Sequence, residues 1–181
     1  MNYKRLFIPN SYIFITICTY KRQNILIDNI EYLRKSFKYA LSVFNFEIIA
    51  IVVNPDHLHM IIKTENINNY PKIIGIIKKH FTQISNIKYS INENRESNIW
   101  QVCPPYLCSQ DNLKIGYKNK REKGLFQRRF YEHTIRDEND LYKHIDYIHY
   151  NPVKHGLSTS PKNWTFSSFN KFVKEGLYDE N

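Results

Sequence analysis

The sequence predicts an α+β fold in which an antiparallel sheet carries helices on one face. Three observations predict it. Apolar, β-branched runs alternate with longer stretches whose apolar residues recur every three or four positions. Two runs, "FEIIAIVV" (46–53) and "HLHMIIK" (57–63), are separated only by the turn sequence "NPD". Helix-length stretches separate the others, so the chain reads β-α-β-β-α-β-α.

"SYIFITICTY" (11–20) is aromatic and β-branched and reads as a strand. "NIEYLRKSFKYALSVFN" (29–45) spaces Ile30, Leu33, Phe37, Leu41 and Phe44 along one side of an amphipathic helix. The runs 46–53 and 57–63 form a hairpin and are expected to be the two central strands. "YPKIIGIIKKHFTQISNIKYS" (70–90) is a second helix, with Pro71 near its start as helix N-termini prefer. Residues 91–124 turn polar and irregular and read as an insertion or long loop. "LFQRRFYEHTI" (125–135) resumes strand character. "DENDLYKHIDYIHYN" (137–151) is a helix with Asp137 as its N-cap and Pro152 as its stop. Residues 158–181 form a C-terminal extension with a short helix. The order is that of a ferredoxin-like, split βαβ layer.

At 181 residues the chain is long enough to bury a core, and 1–181 is read as a single domain. Apolar residues at 42% and aromatics at 15% exclude a disordered chain. A net charge of +9, spread over most segments, points to a polyanionic partner, nucleic acid, rather than a small-molecule substrate. Three cysteines, Cys18, Cys103 and Cys108, cannot all pair, and no basic-then-apolar leader precedes the first strand, so a cytoplasmic protein is expected. "CPPYLC" lacks the second cysteine pair of a zinc site. Apolar runs are too short to cross a membrane.

The chemistry centres on "NPDHLHM" (54–60). Successive side chains of a strand point to opposite faces, so His57 and His59 share one face and Leu58 takes the other. Two imidazoles placed in this way can share one divalent ion. An isolated pair at this spacing is more often half-buried with backbone partners, and the helix at 137–151 changes that balance. Tyr147 and Asn151 are four residues apart on one helix face, so a helix crossing the strands would bring a phenol and a carboxamide oxygen to the two imidazoles. His144 lies on a neighbouring face and His149 is turned away. Taken alone, Tyr147 reads more readily as a core aromatic, because its helix is rich in them.

"NPDHLHM" resembles the His-hydrophobic-His (HUH) motif of single-tyrosine transposases. "LFQRRFYEHTIRDENDLYKHIDYIHYNPVKHGL" (125–157) resembles the REP-associated tyrosine transposases, whose sequence around the catalytic tyrosine is similar to "YIHYNPVKHG"; the tail "WTFSSFNKFVKEG" is similar too. The resemblance implies a ferredoxin-like fold and Mg²⁺ or Mn²⁺ as the working ion. It implies that His57 and His59 are the metal-binding pair, Asn151 completes the metal site and Tyr147 is the nucleophile. It also implies a 5′-phosphotyrosyl enzyme with a free 3′-hydroxyl. One departure is Phe126, where the family pattern has Trp before Gln; "IWQ" (99–101) is a second match to that pattern.

A phenol of pKa about 10 is a weak nucleophile at neutral pH and needs help. A divalent cation on two imidazoles and an amide oxygen can polarise a phosphate, although two histidines suit Zn²⁺ and other transition ions as well. Holding single-stranded or hairpin DNA calls for cations along the approach. The candidates are Arg128, Arg129, Lys154 and His155, with Lys78 and Lys79 on the second helix. As neighbours on a strand, only one of Arg128 and Arg129 would face the site. Asp56 and Glu132 are the acidic side chains to consider as supplementary ligands, and Tyr131 and His133 match the family block without an assigned role. Two other readings are a domesticated hairpin-binding protein and an RNA-binding ferredoxin-like domain, which would need no metal. A monomer and a homodimer, in which the tyrosine helix serves the partner's site, both stay open.

Overall fold

The structure is a computed structural model and describes residues 11–85, 87 and 124–178. Nearly all of the expected insertion, with Cys103, Cys108 and "IWQ", lies outside the described residues. The elements are β1 (Tyr12–Cys18), α1 (Ile30–Val43), β2 (Phe46–Val53), β3 (His57–Thr64), α2 (Tyr70–Ile84), β4 (Tyr131–Thr134), α3 (Glu138–Lys154) and α4 (Phe169–Lys174). The sheet order is β2-β3-β1-β4 and every pairing is antiparallel, as a split βαβ layer requires.

The central strands are β3 and β1, so the expectation that 46–53 is central is corrected: β2 is an edge strand. The "NPD" turn only makes β2 and β3 neighbours and leaves open which of them gains a second partner. The run β1, buried along its whole middle, takes the inner side of β3. The apolar C-terminal end of β2 is instead covered by the tail. The Val53 amide donates to the Phe166 carbonyl at 2.8 Å, and the Ser168 amide donates to the Ile51 carbonyl at 2.9 Å. The Ile51 amide donates to Ser168 Oγ at 3.0 Å.

The helices occupy both faces, which corrects the expectation of one. Ile13, Ile15, Ile17, Leu58, Met60 and Ile62 pack with α1 and α2 through Leu33, Phe37, Ile73, Ile77 and Phe81. Phe14, Ala50, Val52 and Ile61 face the other way, onto Ile145 and Ile148 of α3 and Phe172 of α4. The reason lies in β1 and β3, which bury consecutive residues; a strand apolar on both faces must be covered on both. A bulge between Ile48 and Ala50 keeps β2 in phase with this two-sided pattern.

Two further boundaries differ. The strand expected over 125–135 is confined to Tyr131–Thr134, and Phe126 makes an isolated bridge to Thr19. Pro152 does not stop α3, which runs on to Lys154. Asp137 does cap its start, accepting from the Asp140 amide at 2.8 Å. At its end Gly156 adopts φ 67°, the Gly156 amide donates to the Val153 carbonyl and the Leu157 amide to the Pro152 carbonyl. That pair of bonds is a Schellman cap, so glycine rather than proline closes the helix. Among the described residues no helix is long and apolar enough to cross a membrane.

Candidate functional site

The cross-strand register decides what the histidines face. His59 pairs with Thr16 and His57 with Cys18, on the side of the sheet that carries α3. Both imidazoles are buried, with ring centroids 4.9 Å apart. The His59 ring stacks on Phe14, and Thr16 Oγ1 lies 2.8 Å from His59 Nδ1. Tyr147, half-buried on α3, presents its ring 5.1 Å from that of His59 and 5.9 Å from that of Phe14.

One helical turn on, Asn151 is fully buried and its Oδ1 accepts from Asn54 Nδ2. The same Asn54 nitrogen lies 2.9 Å from His57 Nε2. An imidazole lone pair and a carboxamide oxygen, from β3 and α3, therefore converge on one small donor. His59 Nε2, Asn151 Nδ2, Asn54 Oδ1 and His155 Nε2 are buried without a hydrogen-bond partner. Buried polar atoms are almost always paired, so four such atoms around one point mark a site built for something polar. His57 Nε2, His59 Nε2 and Asn151 Oδ1 could hold a divalent ion.

Electrostatics keep these imidazoles neutral. Burial lowers His57 below the ordinary histidine range, outweighing the hydrogen bond to Asp56 that would raise it. Burial lowers His59 further, helped by the positive charge that His57, His155 and Arg22 would present. Asp56 is lowered despite a burial penalty, because His57 and Arg22 sit against its carboxylate. Neutral imidazoles keep their lone pairs available at neutral pH.

Three residues of this site were not legible in the sequence. Asn54 reads as turn chemistry, and Thr16 as one more β-branched strand residue. Arg22 approaches His57 and Asp56 from a single helical turn, Tyr20–Arg22, and also donates to Cys18 Sγ at 3.2 Å. The one available signal was the conjunction "NPDH", in which turn and ligand abut.

The remaining candidates divide. Lys154 is exposed and its Nζ lies 5.5 Å from the Tyr147 ring centroid. His155 joins the imidazole cluster, 5.2 Å from the ring of His57; burial holds it down to about 4, so at neutral pH it is not a cation for phosphate. Arg128 and Arg129 are both exposed and precede β4, so the alternation expected of a strand does not apply to them. Lys78 is on the far helical layer, donates to the Gln127 carbonyl at 2.8 Å and is lowered by burial to about 8; it ties α2 to the segment before β4. Lys79 is exposed on the same helix. Glu132 pairs with Ile15 and so faces α1 and α2, away from the histidines. Asp56 spends its oxygens on His57 Nδ1 and Arg22 Nε. His149 is turned away, toward Ser168 and Tyr178.

His133, Asp140 and His144 form a second grouping that could hold a metal, with ligand atoms within 4.8 Å of one another. Most of its atoms are engaged, since Asp140 Oδ2 accepts from His133 Nε2 at 2.9 Å and Arg136 Nε at 3.1 Å and His144 Nδ1 donates to the Asp140 carbonyl at 2.7 Å, while His144 Nε2 is buried without a hydrogen-bond partner. It clamps β4 to the start of α3.

The chain matches the family described as IS200-like transposases over residues 8–103, a span that includes His57 and His59 but ends before Tyr147. A Haemophilus influenzae relative assigned to the REP-associated tyrosine transposases is 37% identical over 99% of this chain and 91% of its own length. The chain belongs to the REP-associated tyrosine transposases of the IS200-like family. It is thus an enzyme of the HUH nuclease class, a family that generally uses a divalent metal. The REP-associated tyrosine transposase of Escherichia coli K12 is 31% identical over 97% of this chain and 87% of its own length. A solved REP-associated tyrosine transposase bound to a REP hairpin superimposes with a TM-score of 0.75 at 28% identity, covering 98% of this chain and 88% of that one.

Proposed function

We propose that this transposase cleaves and rejoins single-stranded, hairpin-forming repeat DNA through Tyr147, assisted by Mg²⁺ or Mn²⁺ held by His57, His59 and Asn151. The observation that carries the reading is the convergence of α3 on β3: Tyr147 lies against His59 while Asn151, one turn later, meets the lone pair of His57 through Asn54. The hairpin bound by the solved relative supports the substrate class.

The Tyr147 oxygen attacks the scissile phosphorus as its proton passes to solvent, the bond to the 3′-oxygen breaks, and that oxygen takes up a proton from solvent. The products are a 5′-phosphotyrosyl enzyme and a free 3′-hydroxyl. Attack by another 3′-hydroxyl reverses the step, restores Tyr147 and joins strands without external energy. The bound cation would polarise the scissile phosphate and offset the charge that develops on it. Lys154, with its Nζ over the Tyr147 ring, adds positive potential for phosphate and phenolate alike. Phe14 holds His59 from one side and Tyr147 from another, which fixes the approach of the nucleophile. Tyr147 reaches the histidines of its own chain, which supports action in cis. Arg128 and Arg129 are exposed cations for the DNA backbone.

The test is incubation of the purified protein with labelled single-stranded hairpins from the flanks of its own gene, with Mn²⁺ or with EDTA, followed by denaturing gels. A metal-dependent protein–DNA adduct is expected, absent from Tyr147→Phe and His57→Ala. Binding without adduct or cleavage under any metal would replace this reading with that of a hairpin-binding protein.

A further inference from the structure

The turn before β3 is built more firmly than a hairpin needs. The Asp56 carbonyl accepts from both the Thr19 amide and Thr19 Oγ1, each at 2.9 Å, and the Leu26 amide donates to the Pro55 carbonyl at 2.9 Å. The backbone that carries Asp56 is therefore fixed by the segment that follows β1. From that segment Arg22 sends Nε to Asp56 Oδ2 at 2.8 Å, while Asp56 Oδ1 lies 2.6 Å from His57 Nδ1. Both charged side chains are largely buried, at 14% and 18% exposure. Lys21 and Arg22 hold φ of 51° and 56°, left-handed conformations that non-glycine residues adopt rarely. Such a pair persists where surrounding structure over-determines it, and strained backbone of this kind gathers at functional sites.

Hydrogen-bond chemistry then selects the tautomer of His57. An ionised carboxylate can only accept, so at 2.6 Å the proton between Asp56 and His57 sits on Nδ1. The lone pair is left on Nε2, where Asn54 Nδ2 donates at 2.9 Å. Arg22 Nη2 also approaches Nδ1, at 3.2 Å, and would need that nitrogen as an acceptor; the shorter 2.6 Å contact with the carboxylate decides between the two. Carboxylates that hold the distal nitrogen of a metal-binding imidazole orient the ring and raise its basicity.

We propose that Asp56 and Arg22 are positioning residues which fix the tautomer and orientation of His57, so that its Nε2 is presented to a divalent cation. Asp56 acts on the centre through His57 and is not itself a ligand. This inference rests on the reading of His57 as a metal ligand.

The experiment measures Mn²⁺ binding to the full chain by the electron paramagnetic resonance of free Mn²⁺, for wild type, Asp56→Ala, Asp56→Asn, Arg22→Ala and His57→Ala, with folding checked by circular dichroism. Asp56→Ala is expected to weaken Mn²⁺ binding by about 10- to 100-fold. Asp56→Asn keeps an oxygen that can accept from Nδ1 and should weaken it less; Arg22→Ala should fall between wild type and Asp56→Ala. A long-range ¹H–¹⁵N spectrum of wild type should find the His57 proton on Nδ1 without any variant having to fold. Unchanged affinity in Asp56→Ala alongside loss in His57→Ala overturns the positioning role alone, as does a His57 proton on Nε2. If His57→Ala binds Mn²⁺ like wild type, the metal reading itself fails and this inference with it.

Discussion

Asn54 Nδ2 sits between His57 Nε2 and Asn151 Oδ1 and donates to both, so one amide group in the turn after β2 links the histidine strand to the tyrosine helix. Asn54→Ala removes a donor shared by two buried acceptors. The metal-free protein should lose about 1–3 kcal/mol of stability, and Mn²⁺ should recover part of that loss by binding the folded state. Thermal denaturation with and without Mn²⁺ checks both parts.

Acid should weaken the packing of the tail. Burial holds His149 down to about 4, against an ordinary 6.5, with the Asp146 charge opposing only in part. The folded protein keeps His149 neutral between Ser168 and Tyr178, whereas the unfolded chain takes up a proton below 6.5. Its contribution is therefore complete above that value and lost as pH falls through about 4, a change of roughly 3 kcal/mol. Urea unfolding at a series of pH values should find a flatter slope in that window for His149→Gln.

Salt dependence separates the cations. Arg128→Ala and Arg129→Ala should each reduce the slope of log affinity against log salt for single-stranded DNA by about 0.7. Lys78→Met should leave that slope unchanged and lower stability by about 1–2 kcal/mol, because its ammonium is spent on the Gln127 carbonyl.

Two glycines should respond with opposite signs. At Gly156 a Cβ meets no atom within 4 Å, but φ is 67°, so Gly156→Ala should cost about 1 kcal/mol and loosen the end of α3 that carries Asn151. Gly75 is also open and lies inside α2, where Gly75→Ala should stabilise by roughly 0.5–1 kcal/mol. Denaturant midpoints of the two variants give the comparison.

Local pattern made much of this molecule legible. Alternation alone puts His57 and His59 on one face, and helical spacing alone puts Asn151 with Tyr147; the structure brings the two pairs together. What stayed hidden depends on partners distant in sequence. Edge or centre for β2 is decided by where β1 docks, and the second helical layer by what covers Phe14 and Ile61. Pro152 misled because a proline in a last turn is tolerated when a glycine cap follows. Lys78 reads as a surface cation until its backbone acceptor is known, and Arg22 carries no signal at all until the segment after β1 folds back on "NPDH".

The strap formed by Phe166–Ser168 has a consequence for how the protein behaves in company. An open β-edge invites any extended chain to add itself, the first step of runaway self-association. By occupying the amides of Ile51 and Val53 and the Ile51 carbonyl, the tail acts as a built-in terminator on the stretch of β2 nearest the histidines. The tail thus keeps other polypeptide strands from joining the sheet on that stretch of its edge.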